Sequence, residues 1–274
     1  MTINICEHWQ DDLLYYSFPL LDRFSDRLTA VFSSRLGGVS HGGCATLNLG
    51  WNRGDNPSHV QENYRRFARA VGCDPERIVL SQQTHTTNLR RATEADAGKG
   101  IIHERDYQDI DGLYTTQPNL PLMTHYADCT PLLMYAADKH IAITAHAGWR
   151  GTVAGMAKVC AYQLQHMGAD PQHIYAVIGP SAGPCCYEID AVTAEHFRPY
   201  ADEQGPCITP RKGIPGKYLA DLWRTNRSIL ISAGLPKENI QISGLCTICH
   251  HDKLFSHRVQ GENRGALAAL IMLK

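Results

Sequence analysis

The sequence lacks an excess of charge of either sign and any long apolar run. Lysine and arginine together number 26 and aspartate and glutamate 27, so the formal net charge is −1. Without a basic surplus there is no electrostatic footprint for nucleic acid, and no nucleic-acid partner is expected. A membrane-spanning helix needs a run of roughly 18 or more apolar residues, which this sequence does not contain, so no membrane association is expected.

The amino terminus also lacks the pattern of a secretory signal peptide. It reads MTINICEHWQDDLLYYSF, with no basic start and with three acids, Glu7, Asp11 and Asp12. We therefore expect a cytoplasmic protein whose ten cysteines are kept reduced, where they favour metal binding or catalysis over a disulfide framework. No linker, repeat or low-complexity tract is evident, which predicts a single domain over residues 1–274.

The remaining composition, 43% apolar and 19% charged residues, is that of an ordinary globular enzyme. The clearest helix spans 56–72, where Asn56 suits the N-cap, Pro57 the first turn and Gly72 the C-terminal stop. Other segments predict helices at 151–168 and 217–234, and strands at 28–34, 77–85, 120–138 (in two pieces), 140–148, 173–181, 239–245 and 266–273. This interleaved order predicts the α/β (α+β) class, with mixed β-sheet layers and flanking helices in one domain.

Three of these strands end on side chains that can bind a metal. The stretches LSQQTH, HYADC and ITAH end on His85, Cys129 and His146. Adjacent strand ends bring such residues together from distant parts of a chain, and two imidazoles with one thiolate suit zinc or copper. Three protein ligands leave a fourth position open, as in a catalytic zinc site. The sequence therefore predicts one zinc centre made of these three residues.

Neighbouring residues supply candidate catalytic groups. Asp128 precedes the thiol and is a candidate general acid/base, an outer partner of the metal or a structural hydrogen-bonding group. Arg150 lies near the start of a predicted helix, where a guanidinium and the positive helix end favour an anion such as phosphate. Cys129 and His146 are equally compatible with the nucleophile and base of a cysteine hydrolase, and spacing does not separate that chemistry from metal binding.

Two further cysteine groups are not predicted to bind metal. Segment 245–258 contains four ligand-type side chains in a pattern similar to a zinc knuckle, Cys246, Cys249, His250 and His251. Structural zinc sites usually draw a second ligand pair from a separate segment, whereas these residues crowd one segment. The vicinal pair Cys185–Cys186 is expected to pack as two small apolar side chains.

The motifs, in their order, resemble the YfiH/YlmD family, historically called laccase-like multicopper polyphenol oxidases. The matching stretches run from about residue 29 to the carboxyl terminus: SRLGGVSHG, LNLG, SQQTH, DGLYT, ADCTPLL, HAGWRGT, IGPSAGPCCYEI, CTIC and FSHR. The resemblance implies a YfiH-like single-domain fold with zinc on His85, Cys129 and His146. It also implies that Arg35, Asn48 and Arg258 bind substrate.

By function, the resemblance implies a zinc-dependent purine nucleoside phosphorylase for adenosine, inosine, guanosine and methylthioadenosine that also deaminates adenosine. Asp128, Cys129 and Arg150 are then the catalytic candidates, and the partners are purine nucleosides and phosphate. Two alternatives stay open: a cysteine-type hydrolase or amidase that edits peptidoglycan precursors, and a copper-dependent polyphenol oxidase, which the absence of any His-x-His pair disfavours. The chain departs from the family pattern at Thr86, at 256–259 and at Arg264–Gly265, positions that affect substrate preference.

Overall fold

Short strands and seven helices make up the described part of the chain, residues 2–274, in this computed structural model. In chain order the strands β1 to β17 are Cys6–Gln10, Leu13–Ser17, Leu28–Ser33, Val79–Leu80, Leu89–Arg91, Gly112–Thr115, Leu122–Tyr126, Thr130–Ala136, Ile141–Ala147, Ile174–Ile178, Glu188–Asp190, Ala201–Asp202, Gly205–Pro206, Ile208–Pro210, Lys217–Ala220, Ile240–Ile242 and Leu267–Leu273. The helices α1 to α7 are Pro19–Asp22, Pro57–Val71, Trp149–Val153, Met156–His166, Ala191–Glu195, Leu222–Ser232 and His257–Gln260.

Most strands belong to two six-stranded sheets. The first has the order β1-β2-β3-β17-β7-β4 and is antiparallel except for the parallel pair β4 and β7. The second has the order β16-β10-β8-β9-β6-β5 and is antiparallel except at its two ends, where β16 and β5 pair parallel to their neighbours. The sheets are thus mixed, and the predicted fold class is confirmed.

Burial of apolar surface arranges these sheets and helices in four layers. The two sheets face each other across a core in which Tyr16 and Phe32 of the first sheet meet Leu133 and Tyr135 of the second. Helix α2 covers the outer face of the first sheet, and α4 and α6 cover that of the second. Strands β8, β9 and β17 are buried throughout, which is why they read as continuous apolar runs in the sequence.

The helix predictions are confirmed in one case and corrected in two. Helix α2 has the predicted caps: the Asn56 side chain accepts a hydrogen bond from an amide of the first turn, and Gly72 is left-handed with φ 73°. The helix predicted at 151–168 is two helices, because Gly155 adopts a left-handed φ of 87° between α3 and α4. The helix predicted at 217–234 begins only at Leu222, after the four-residue strand β15.

One crossing between the sheets positions the functional site. The two pieces predicted within 120–138 are the strands β7 and β8, and β7 belongs to the first sheet whereas β8 belongs to the second. The chain changes sheet at residues 127–129, where Asp128 has a left-handed φ of 83°. Cys129 therefore lies at the junction of the two sheets. No helix within residues 2–274 is long and apolar enough to cross a membrane.

Candidate functional site

The structure brings His85, Cys129 and His146 together at this junction. One ligand atom from each lies within 4.8 Å of the others. His146 is on β9, in register with Pro131 of β8, and Cys129 immediately precedes β8. His85 is not at a strand end, because β4 stops at Leu80, and it sits in the following loop with a left-handed φ of 66°. We call these three residues the His-Cys-His centre.

The residues of this centre fit a zinc ion. Two imidazoles and a thiolate form a ligand set that zinc accepts, with a position left over. Gly148 keeps space free beside them, since an added Cβ would lie 2.6 Å from His85 Nδ1 and 3.0 Å from Cys129 Sγ. Any side chain at position 148 would crowd two of the three ligand atoms.

A buried carboxylate, Asp111, fixes the centre. Its Oδ1 accepts hydrogen bonds from His146 Nδ1 at 2.8 Å and from the His85 amide at 3.0 Å. Its Oδ2 accepts from the amides of Thr84 and Thr86 at 3.0 and 2.8 Å. Such a carboxylate orients a metal-binding histidine and leaves the ring's Nε2 free for the ion. This outer role was one of three alternatives for Asp128, and Asp111 was overlooked although it begins the family stretch DGLYT.

Charge at the centre follows from these contacts. Burial alone would lower the pKa of His146, but Cys129 and Asp111 outweigh it and raise that pKa to about 9. Burial, followed by the neighbouring His146, lowers the pKa of His85. Burial would raise the pKa of Asp111, yet hydrogen bonds from His146 and the backbone lower it to about 2. Binding of an ion by both imidazoles would therefore release the proton that His146 holds.

A cavity of about 470 Å³ opens beside the centre, and its wall is basic. Arg53, Arg105 and Arg264 line it, while no carboxylate of the described residues does. Arg264 is only 8% exposed, and burial followed by repulsion from Arg53 lowers its pKa. Its Nε and the Nε1 of Trp51, which also lines the cavity, find no hydrogen-bond acceptor within residues 2–274. Both donors therefore lack the hydrogen-bond partner that buried polar groups normally have.

Asp128 and Arg258 lie outside this cavity wall. Both carboxylate oxygens of Asp128 are engaged, one by the Thr247 hydroxyl at 2.6 Å and the other by the Arg258 amide at 2.7 Å. The Arg258 guanidinium stacks on Tyr187 at 4.7 Å and donates to the Glu188 carbonyl at 2.8 Å. These contacts hold loops together and leave neither side chain among those that line the cavity.

The other residues predicted to contact substrate are also engaged elsewhere. Arg35 stacks on Phe255 at 4.5 Å and donates to the Ala45 carbonyl. Asn48 is fully buried, and both ends of its amide are bonded within the fold. Arg150 is exposed and stacks on Trp149 at 4.4 Å. Because none of these side chains lines the cavity, we carry Arg35, Asn48 and Arg258 no further as substrate-binding residues.

Comparison with known proteins places the chain in a family. Residues 29–274 match the family described as multi-copper polyphenol oxidoreductase laccase. The chain belongs to this family. The YfiH/YlmD resemblance is confirmed by its relatives, among them the purine nucleoside phosphorylase YlmD of Geobacillus stearothermophilus, 36% identical over 248 residues, which cover 88% of this chain and 89% of that protein.

Two further family members support the same grouping. The adenosine deaminase RL5 of an unknown prokaryotic organism is 32% identical over 213 residues, 77% of this chain and 81% of that protein. The crystal structure of YfiH from Bacillus licheniformis superposes with a TM-score of 0.88 at 32% identity, and 97% of each chain is covered. The relatives YlmD and RL5 bear enzyme names, and the prediction that this chain is an enzyme is confirmed.

The Asp111 carboxylate gives a first prediction. Asp111→Asn keeps the size of the side chain but removes the charge that holds the His146 imidazole, so zinc affinity should fall by about 10- to 100-fold. Competition with a chromophoric chelator measures the loss. The matched control is Asp109→Asn, two residues earlier, where the carboxylate accepts only from Thr84 Oγ1 in an exposed turn. Unchanged affinity in Asp111→Asn, or an equal fall in the control, would contradict the role given to Asp111.

Proposed function

We propose that the chain is a zinc-dependent purine nucleoside phosphorylase, for adenosine, inosine, guanosine and methylthioadenosine, that also deaminates adenosine. One observation carries the proposal: among residues 2–274, three arginines and no carboxylate line a cavity that the His-Cys-His centre also lines. Phosphorolysis requires a site for a phosphate dianion beside the nucleoside, and guanidinium groups recognise phosphate well. The relatives named as a purine nucleoside phosphorylase and an adenosine deaminase support it.

The arginines have the placement that phosphate binding needs. The Arg105 guanidinium is anchored by a 2.6 Å hydrogen bond to the Ser81 carbonyl. Arg264 and Trp51, which line the same cavity, each have a donor, Nε and Nε1, without an acceptor within residues 2–274. Donors held in place before the substrate arrives stabilise a charged transition state without reorganisation. In this proposal they hold the phosphate, while zinc bound to the centre supplies a Lewis acid to the same cavity.

Asp128 has a different role in the proposal from the one its sequence position suggests. Because both of its oxygens accept hydrogen bonds from Thr247 and Arg258, the carboxylate is committed to the fold. Its backbone carbonyl accepts from the Ala182 amide as well. We therefore assign Asp128 to positioning: it fixes the left-handed turn that presents Cys129.

A second candidate, a cysteine-type hydrolase that edits peptidoglycan precursors, is favoured by one feature. Asp111 is hydrogen-bonded to His146, and His146 interacts with Cys129. This is the order of an orienting carboxylate, a base and a nucleophile in a catalytic triad. Such a triad does not use His85, whereas the zinc centre does. An activity that survives His85→Ala but not Cys129→Ser would favour the hydrolase.

The copper oxidase alternative has less support. Copper suits the same three ligands, so metal analysis must include it. Only two groups of three or more ligand side chains occur within residues 2–274, and just one of them contains histidine. Several histidine-rich copper centres, as a multicopper oxidase uses, cannot be assembled from them.

The test of the proposal is chromatography of adenosine incubated with the zinc-assayed protein, with and without phosphate. Adenine and ribose 1-phosphate are expected only with phosphate. Inosine is expected in both samples, accompanied with phosphate by the hypoxanthine that its phosphorolysis releases. If adenosine stays intact in both while the His-Cys-His centre holds zinc, the proposal is wrong and the hydrolase is tested next.

A variant at Arg264 should distinguish phosphorolysis from deamination. Arg264→Gln should raise the KM for phosphate by about 10- to 100-fold, the worth of a hydrogen bond to a charged group. Deamination uses no phosphate, so it should persist in the same variant and report that the fold is intact. The comparison variant is Arg150→Gln, at the exposed arginine suggested by sequence, which should keep its KM. A raised KM for phosphate in Arg150→Gln and an unchanged KM in Arg264→Gln would indicate that Arg150 binds the phosphate.

A further inference from the structure

Four cysteines form a second group of metal-type ligands, away from the cavity. The sulfur atoms of Cys185, Cys186, Cys246 and Cys249 all lie within 4.8 Å of one another, and all four are free thiols. Cys249 Sγ is 3.5 Å from Cys185 Sγ and 3.4 Å from Cys186 Sγ. Zinc–sulfur bonds of about 2.3 Å in a tetrahedron place sulfurs about 3.8 Å apart, so this is the spacing of ligands around one ion. We call this group the four-cysteine cluster.

Two tight turns present the cluster. In one, the Gly183 carbonyl accepts from the amides of Cys186 and Tyr187 at 3.0 and 2.9 Å; in the other, the Cys246 carbonyl accepts from the His250 amide at 3.1 Å. The turns meet where the Gly183 amide donates to Cys246 Sγ at 3.2 Å. Only glycine permits this approach, since a Cβ on Gly183 would lie 3.1 Å from the Cys246 Cβ and 2.7 Å from the ring of Trp223. Amide-to-sulfur hydrogen bonds of this kind stabilise a metal-bound thiolate.

The structure corrects the two sequence-based interpretations of these cysteines. The second ligand pair that segment 245–258 seemed to lack is Cys185–Cys186, from a separate segment. The vicinal pair packs as small apolar side chains only in part: Cys186 lies against the core of the second sheet, whereas Cys185 is exposed, and both sulfurs contact Cys249. His250 and His251 of the knuckle-like pattern do not belong to the cluster.

We propose that the four-cysteine cluster binds one zinc ion in a closed, structural site. Four thiolates complete the tetrahedron and leave no open position, in contrast to the His-Cys-His centre. The ion would join the two loops that pack on Asp128, one through the Ala182 amide at 2.9 Å and the other through the Thr247 hydroxyl at 2.6 Å. It would thus stabilise the turn behind Cys129 from outside the cavity. The proposal does not depend on the reaction that the cavity catalyses.

Metal counting on the whole chain tests this second site. After zinc reconstitution under reducing conditions and dialysis, elemental analysis should find two zinc ions per wild-type chain. Cys185→Ser/Cys249→Ser should hold one, His146→Ala should hold one, and the combined variant none. Both substituted cysteines are exposed, so serine costs no core packing. Cys6→Ser, at a cysteine in neither ligand group, is the control and should hold two.

Cobalt distinguishes the sites without relying on activity. His146→Ala loaded with Co²⁺ should show the intense visible and near-ultraviolet bands of a tetrahedral four-thiolate complex, and the further removal of Cys185 and Cys249 should abolish them. A His146→Ala protein that takes up neither zinc nor cobalt overturns the proposal. A second outcome also overturns it: a wild-type protein isolated without reductant has a disulfide within the cluster, as shown by its mass, and after this disulfide is reduced the cluster still binds no metal.

Discussion

His146→Ala is expected to remove the zinc of the His-Cys-His centre together with both phosphorolysis and deamination. The imidazole supplies one of only three protein ligands, and it is the one that Asp111 orients. Removing a ligand should lower zinc affinity more than removing the carboxylate that orients it. The kcat/KM values of phosphorolysis and of deamination should therefore each fall by more than about 100-fold. Elemental analysis and adenosine turnover on the same preparation measure the two losses.

Three comparisons make this result specific. Cys129→Ser removes the thiolate with little change in volume and should give the same double loss. His166→Ala, at an exposed histidine at the end of α4 that belongs to neither ligand group, should lose nothing. The four-cysteine cluster should keep its own ion in His146→Ala, so total zinc falls by one and not to zero. Full activity in a variant without zinc at the centre would contradict the zinc-dependent mechanism.

Gly148→Ala should be nearly as damaging although it adds one methyl group. The backbone at Gly148 has φ −62°, which alanine adopts without strain, so the effect comes from occupied space alone. The methyl would lie 2.6 Å from His85 Nδ1 and 3.0 Å from Cys129 Sγ and must displace one of them. A shift of about 1 Å in a catalytic group can cost about 100-fold in rate. Zinc affinity and kcat/KM should both fall while the far-ultraviolet circular dichroism spectrum is unchanged.

Gly151→Ala is the matched control, three residues further along. An added Cβ there would lie 3.4 and 3.5 Å from the carbonyl oxygens of Thr86 and His146 and 3.9 Å from the Met156 Cβ, all ordinary contacts. Gly151 lies inside α3, where alanine is favoured over glycine by about 1 kcal/mol. Gly151→Ala should therefore keep its zinc and match or exceed the wild-type melting temperature. Equal zinc affinity in both variants would mean that no ion occupies the space beside Gly148.

That His85, Cys129 and His146 form one group could be predicted from sequence, because the chemistry of each side chain is visible one residue at a time. His85, Cys129 and His146 are ligand types that follow apolar stretches, and burial of those stretches brings them together. Asp111 could not be found in this way. Its role depends on the pairing of β6 with β9, which sets Gly112 opposite Ala145 and so places the preceding carboxylate beside His146. Pairing between strands about 30 residues apart cannot be recognised from the local sequence of either strand.

The contacts of the arginines are hard to predict from sequence for a related reason. Arg35 and Arg258 stand in distinctive motifs. Arg35 stacks on Phe255 and Arg258 stacks on Tyr187, and neither contact can be predicted from the residues that flank the arginine in the sequence. The arginines that line the cavity come from three separate segments, and only the packing of the layers brings them together. Arg264, where the chain departs from its family's usual pattern, lies in the cavity wall.

The position of β17 has a consequence for synthesis of the protein on the ribosome. This strand is the last in the described chain, yet it lies in the middle of the first sheet, between β3 and β7. Until it emerges, the sheet exists as two unjoined halves, and the cavity lacks Arg264 and Ala266, which directly precede the strand. Pairing over such a sequence separation is slow compared with local contacts. The three residues of the His-Cys-His centre are thus synthesised well before Arg264, and the complete cavity can form only after β17 has left the ribosome.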